Sequence, residues 1–182
     1  MTVFIQYLVN GLSMGSVYAI IALGYTMVYG IAKMLNFAHG DVIMVGAYVS
    51  FCATSYLGLP GWLSVVLSVV VCTVLGMLVE GLAYRPLRAA GPLAVLITAI
   101  GVSYFLQNAA QLLWGATPKN FTSLVKFPVP AFLAQFNVSA VSLVTILACI
   151  LIMVALMWFT SKSKMGKAMR ACSEDKAAAQ LM

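Results

Sequence analysis

Hydrophobic and polar positions alternate along this chain on the scale of whole segments. Apolar runs cover Val3–Ile31, Val42–Tyr56, Trp62–Val79, Leu93–Trp114 and Ser139–Thr160, and short polar stretches separate them. A straight helix needs about 20 apolar residues to cross a bilayer. The pattern predicts an all-α, polytopic membrane protein with about five transmembrane helices, over 3–31, 42–56, 62–80, 93–114 and 139–160. These make a transmembrane domain over 1–160. The first run is longer than one span requires and the second is shorter, with Asn36-Phe37-Ala38-His39-Gly40-Asp41 between them. That combination predicts a discontinuous segment near Asn36–Asp41, non-helical or kinked over Asn36–Gly40 and buried by protein. Irregular backbone is tolerated at membrane depth only where protein covers it or where it lines a polar cavity. Arg85-Pro86-Leu87-Arg88 reads as a short basic connection, and Gly115–Asn137, with Pro118, Pro128 and Pro130, as a loop.

Polar residues inside apolar runs are the candidates for function. Asn36, Phe37, His39, Gly40 and Asp41 form the first group, with Gly40 permitting a turn and Asp41 opening the next helix, where the dipole favours an anion. The local pattern fits two roles equally: Asp41 as a helix cap with His39 packed and hydrogen-bonded, or both as the lining of a pathway. The second group lies on the fourth run, where Ser103, Gln107 and Gln111 are spaced i, i+4, i+8 beside Thr98, Tyr104 and Asn108. A polar stripe on a spanning helix is not expected to face lipid. Each of its members serves as interhelical glue or as pathway lining, and as a set Ser103, Gln107, Asn108 and Gln111 read as pathway. Residues 161–182 change character, mixing Lys, Arg, Glu and Asp with an alanine run. Five charged residues, Lys167, Arg170, Glu174, Asp175 and Lys176, make a sixth span prohibitive, so Met165–Met182 is expected to be a surface helix.

Composition supports the membrane assignment. Hydrophobic residues make up 63% of the 182 and charged residues 8%, against about 25% charged in soluble domains. The net charge of +6 raises nucleic acid as a partner, but the basic residues gather at the ends of apolar runs rather than in an aromatic-laced patch, and nucleic-acid binding is excluded. No basic leader with a small-residue cleavage site opens the chain. Cys52, Cys72, Cys149 and Cys172 form neither a disulfide framework nor a metal spacing, and no cofactor is expected. Lys33, Arg85, Arg88, Lys162, Lys164, Lys167, Arg170 and Lys176 fall on one side of the expected topology, Lys119 and Lys126 on the other. The positive-inside rule then puts 161–182 in the cytoplasm and the N-terminus outside.

Leu35-Asn36-Phe37-Ala38-His39-Gly40-Asp41 followed by Gly46-Ala47-Tyr48 resembles the signature of permease subunits of branched-chain amino acid ABC transporters. Tyr84-Arg85-Pro86-Leu87-Arg88 is similar to that family's first cytoplasmic turn. Gly166-Lys167-Ala168-Met169-Arg170-Ala171, with Glu174-Asp175 and the alanines that follow, resembles its coupling segment. The resemblance runs the length of the chain, and the high-affinity leucine/isoleucine/valine type is the nearest match it implies. It also implies that such permeases continue with further spans, so that a chain ending at Met182 within the coupling motif is expected to be an N-terminal portion.

By that resemblance the protein is a non-enzymatic permease subunit in a bacterial inner membrane. It would work with a second permease subunit, two cytoplasmic ATP-binding subunits and a periplasmic amino-acid-binding protein. Gly166, Arg170, Ala171, Glu174, Asp175 and Ala178 would couple to the ATPases. Three other readings stay open. Urea or short-amide permeases share much of the signature, and a proton-coupled secondary transporter would also use a broken helix. An intramembrane enzyme is the weakest, because His39 is the sole histidine and no HExxH is present.

Overall fold

The structure, a computed structural model, describes residues 2–119 and 140–174. Every regular element among them is helical: α1 (Thr2–Ala32), α2 (His39–Ser55), α3 (Gly61–Val79), α4 (Pro92–Trp114), α5 (Ala140–Lys162) and α6 (Lys164–Glu174). Among the described residues, four stretches are long and apolar enough to cross a membrane, namely Val3–Gly30, Gly61–Leu87, Leu93–Trp114 and Val141–Lys162. With 17 residues, α2 is shorter than a full span. The protein is a polytopic all-α membrane protein whose large apolar side chains point outward, as expected where lipid is the solvent. Phe4, Tyr7, Phe105, Leu112 and Trp158 are all exposed.

The chain divides into two compact units, one of residues 1–33 with 125–182 and one of residues 34–124. In the first, α1 packs against α5 and α6. The corner between α5 and α6 is a single residue, Ser163. Ser163 donates its N–H to the Phe159 carbonyl at 3.0 Å, and its Oγ accepts the Gly166 N–H at 2.8 Å, which is the geometry of a helix N-cap. Gly166 sits so close to the end of α5 that a Cβ there would lie 2.4 Å from the Phe159 carbonyl oxygen and 2.5 Å from Thr160 Cα.

In the second unit, α2 packs mainly on α3. The contact depends on small and hydroxyl-bearing residues, which let helices approach closely in lipid. Ser68 donates to the Gly46 carbonyl at 2.7 Å, Cys72 Sγ lies 3.4 Å from the Val42 carbonyl, and the hydroxyls of Ser50 and Ser64 are 3.2 Å apart. Tyr84, Val95 and Ala99 form the buried core, flanked by Met34, Val79, Ala83, Leu87 and Val102.

Two boundaries differ from expectation. The break spans Lys33–Ala38, not Asn36–Gly40: His39 and Gly40 already belong to α2. The residue with left-handed backbone is Lys33, at φ 55°, and Gly40 is not among the positive-φ glycines. Lys33 still donates its N–H to the Tyr29 carbonyl at 2.8 Å and so ends α1 as a cap residue would. The short basic connection Arg85–Arg88 is itself helical. The helix of α3 runs on through a π-helical turn, Glu80–Tyr84, and a 3-10 segment, Arg85–Ala90. Gly91 at φ 100° ends it, a conformation glycine adopts at no steric cost.

Gly46 gives a direct test of the α2–α3 contact, because a Cβ there would lie 2.7 Å from Cys72 Sγ and 3.0 Å from Ser68 Oγ. Gly46→Val is expected to lower stability by about 1–3 kcal/mol through overpacking, read as a lower thermal midpoint in detergent. Gly76→Ala, where a Cβ meets open space, serves as the control and is expected to be neutral or slightly stabilising.

Candidate functional site

The polar stripe of α4 and the polar start of α2 meet. Asp41 lies in the first turn of α2 and is buried, 8% exposed. Ser103 Oγ donates to Asp41 Oδ2 at 2.5 Å, Gln107 Nε2 donates to Asp41 Oδ1 at 3.0 Å, and Gln107 Nε2 also lies 3.1 Å from Ser103 Oγ. Each carboxylate oxygen therefore has a donor from a helix 62 or 66 residues further along the chain. Moving a carboxylate out of water costs several kcal/mol. Hydrogen bonds to charged groups contribute about 1.5–3 kcal/mol each, and a position in the first turn of a helix adds the favourable end of the dipole.

Asp41 is thus not the N-cap. That position is Ala38, whose side chain can make no cap hydrogen bond, and the capping work is shared by Asn36. Asn36 Oδ1 accepts the Ala38 N–H at 3.1 Å, and the Asn36 carbonyl accepts the His39 N–H at 3.2 Å. The same Oδ1 accepts the Tyr84 hydroxyl at 2.7 Å, pinning the break to the π-helical turn. Tyr84 was missed in the sequence because it lay in a stretch read as a turn. The available signal was a tyrosine ending an apolar run, since a buried tyrosine hydroxyl requires a partner.

The remaining candidates divide. His39 is half-buried and Gly40 exposed in the first turn of α2, and Phe37 is exposed at 49%. Asn108 turns away from the cluster: its Nδ2 donates to the Tyr104 carbonyl of its own helix at 2.7 Å. Gln111 is exposed on α4. About two turns beyond the carboxylate cluster, α2 and α4 meet again, where Tyr48 stacks on Trp114 at 4.6 Å and 10° and Trp114 Nε1 lies 3.0 Å from Cys52 Sγ.

On α6, Gly166 is buried at the corner and Arg170 Nη2 donates to Ser161 Oγ at 2.9 Å. Ala171 and Glu174 are exposed. A small cavity of about 130 Å³ lies between α6 and α1, lined by residues that include Met27, Gly30, Met169 and Arg170. Asp175 and Ala178 lie outside the described residues.

The family described as branched-chain amino acid transport system / permease component matches residues 7–182. The chain belongs to that family. It is 43% identical to the high-affinity branched-chain amino acid transport system permease protein BraD of Pseudomonas aeruginosa, over 94% of this chain and 60% of the relative. It is 42% identical to the corresponding protein LivH of Escherichia coli strain K12, over 98% of this chain and 62% of the relative. Similarity extends to a probable branched-chain amino acid transport permease protein LivH of Methanocaldococcus jannaschii, at 28% identity over 90% of this chain. The chain spans about 60% of the length of the first two relatives. No solved structure matches it.

Among the amides of the α4 stripe, the carboxylate cluster separates Gln107 from its neighbour Asn108. Gln107→Leu removes one donor from a buried carboxylate and is expected to cost about 1–3 kcal/mol, with insertion into the membrane intact because α4 becomes more apolar. Asn108→Leu removes only a bond within its own helix and is expected to cost less. Thermal midpoints of the two variants in detergent check the order.

Proposed function

We propose that the chain supplies the membrane-spanning part of a permease subunit in an ATP-driven importer of the branched-chain amino acids leucine, isoleucine and valine. The observation that carries this reading is the Asp41–Ser103–Gln107 cluster, in a chain whose family is that of branched-chain amino acid permeases. An aliphatic amino acid crossing a membrane needs apolar walls for its side chain and a few polar groups for its zwitterion. Asp41 offers an anion for the ammonium group. Ser103 and Gln107 are neutral donors that can release the carboxylate without leaving a second charge stranded. Asn36, Phe37, His39, Gly40, Asn108 and Gln111 flank this cluster as further pathway candidates.

The partners follow from the same reading: a second permease subunit, two cytoplasmic ATP-binding subunits and a periplasmic amino-acid-binding protein. The basic residues of α6 and its surroundings support a cytoplasmic position for this helix and an external N-terminus. Its exposed face carries Lys164, Lys167, Ala168, Ala171 and Glu174, charged enough to stay out of lipid and small enough at the alanines for close docking. Gly166, Arg170, Ala171 and Glu174, with Asp175 and Ala178 beyond them, are the proposed coupling residues.

The test is uptake by the full-length permease reconstituted with its partner subunits. ATP-dependent accumulation of labelled leucine, isoleucine and valine is expected, without accumulation of urea or acetamide. Preference for the amides would move the substrate class, and uptake driven by a proton gradient without ATP would replace the mechanism. Within the same system Gln107→Leu is expected to lower uptake about tenfold or more, the equivalent of losing one hydrogen bond to a charge. Glu174→Lys is expected to abolish uptake while ATP hydrolysis and binding-protein docking persist. Normal uptake in Glu174→Lys would reduce α6 to a solvated surface helix.

A further inference from the structure

A second chemical feature of α2 lies apart from the Asp41 cluster. Met44, Ala47, Tyr48 and Phe51 are spaced i, i+3, i+4, i+7 and so share one face of the helix. Together with Lys119 they line a cavity of about 260 Å³. This face is distinct from the one that α2 turns to α3 through Gly46 and Ser50. Lys119 follows the end of α4, where Gly115 at φ 82° turns the chain.

We propose that this cavity is a binding site for an aliphatic α-amino acid, with Lys119 receiving the carboxylate and Met44, Ala47 and Phe51 receiving the hydrocarbon side chain; it rests on the transport reading above. Three observations support the assignment. Among the described residues the lining has one cation and no anion, so its charge complements a ligand that carries a carboxylate, and not urea or an uncharged amide. The walls are apolar and held in place: the Tyr48 ring is stacked on Trp114, and Phe51 meets Tyr56 edge-on at 5.9 Å and 86°. The volume lies just below the roughly 300–1,000 Å³ typical of drug-sized ligands, as suits a small one. Asp41 precedes Met44 by one turn of the same helix, about 4.5 Å along its axis at 1.5 Å per residue. A zwitterion held by its carboxylate at Lys119 would therefore meet the group suited to its ammonium as it moves along α2 toward Asp41.

An anionic headgroup with an acyl chain offers the same chemistry from a second source, and the experiment separates the two. The permease containing this chain, with its partner subunits, is placed in phosphatidylcholine nanodiscs, exposed to photo-leucine, a leucine analogue bearing a diazirine, and irradiated. Adducts are expected on the Met44–Phe51 peptide, suppressed by excess leucine and not by leucinamide, which lacks the carboxylate. Lys119→Gln is expected to cut labelling about fivefold, the scale of one exposed charge pair, and Lys119→Arg to restore most of it. Adducts elsewhere only, equal competition by leucinamide, or unchanged labelling in Lys119→Gln would each overturn the site. Labelling removed by added phosphatidylglycerol and not by leucine would assign it to lipid and overturn it too. Leucine uptake by the unmodified permease is measured in parallel. Uptake with failed labelling overturns the site alone. Carboxylate-dependent labelling without uptake of any branched-chain amino acid keeps the site and overturns the transport reading.

Discussion

A carboxylate among apolar helices has to be met by donors, and the arrangement within residues 34–124 follows from meeting that need at Asp41. Ser103 and Gln107 lie one turn apart on α4, so both reach the carboxylate only in one rotational setting of that helix. This fixes which face of α4 turns to α2, and the buried Val95, Ala99, Leu106 and Ala110 follow on that side. The Tyr48–Trp114 stack, further along the same pair, is then in register. The start of α2 is held as firmly, since Asn36 serves both its own backbone and Tyr84.

The α2–α3 contact solves a different problem. Lipid gives helices no hydrophobic reason to associate, so packing and interhelical hydrogen bonds carry the contact. Gly46 supplies the first and Ser68 the second, and the two act at one place: the serine hydroxyl reaches the glycine carbonyl because no side chain stands between. Gly11 and Gly15 on α1 carry a similar small-residue spacing, yet a Cβ at either meets open space. Spacing alone does not make a contact; the partner's side chains decide.

Much of the fold was legible because lipid makes long apolar runs nearly unambiguous. Pro92–Trp114 and Ala140–Lys162 lie within two residues of the runs that announce them. Boundaries were less legible where side chains cap the backbone. Nothing in Lys33 marks a left-handed residue, and Arg85-Pro86 suggests a turn although a proline is accepted in the first turn of the 3-10 segment. The stripe on α4 was visible as polar residues where lipid is expected. That Ser103 and Gln107 would share Asp41, while Asn108 bonds within its own helix, depends on helix rotation, which spacing in one segment does not contain. The cavity beside Lys119 left no signal at all, because Met44, Ala47 and Phe51 look like any apolar face.

The one-residue corner at Ser163 bears on how α6 comes to exist. The 11 described residues of α6 are marginal as a helix by themselves in water, since a first turn must be ordered before propagation gains anything. Here that nucleus is inherited. The hydrogen-bond ladder of α5 reaches the Ser163 N–H, and Ser163 in turn accepts the Lys167 N–H at 3.0 Å, so α6 is seeded by a neighbour already ordered in lipid. Its helicity is then a property of the membrane-embedded chain, and a peptide cut free at Lys164 would lose the seed along with the cap.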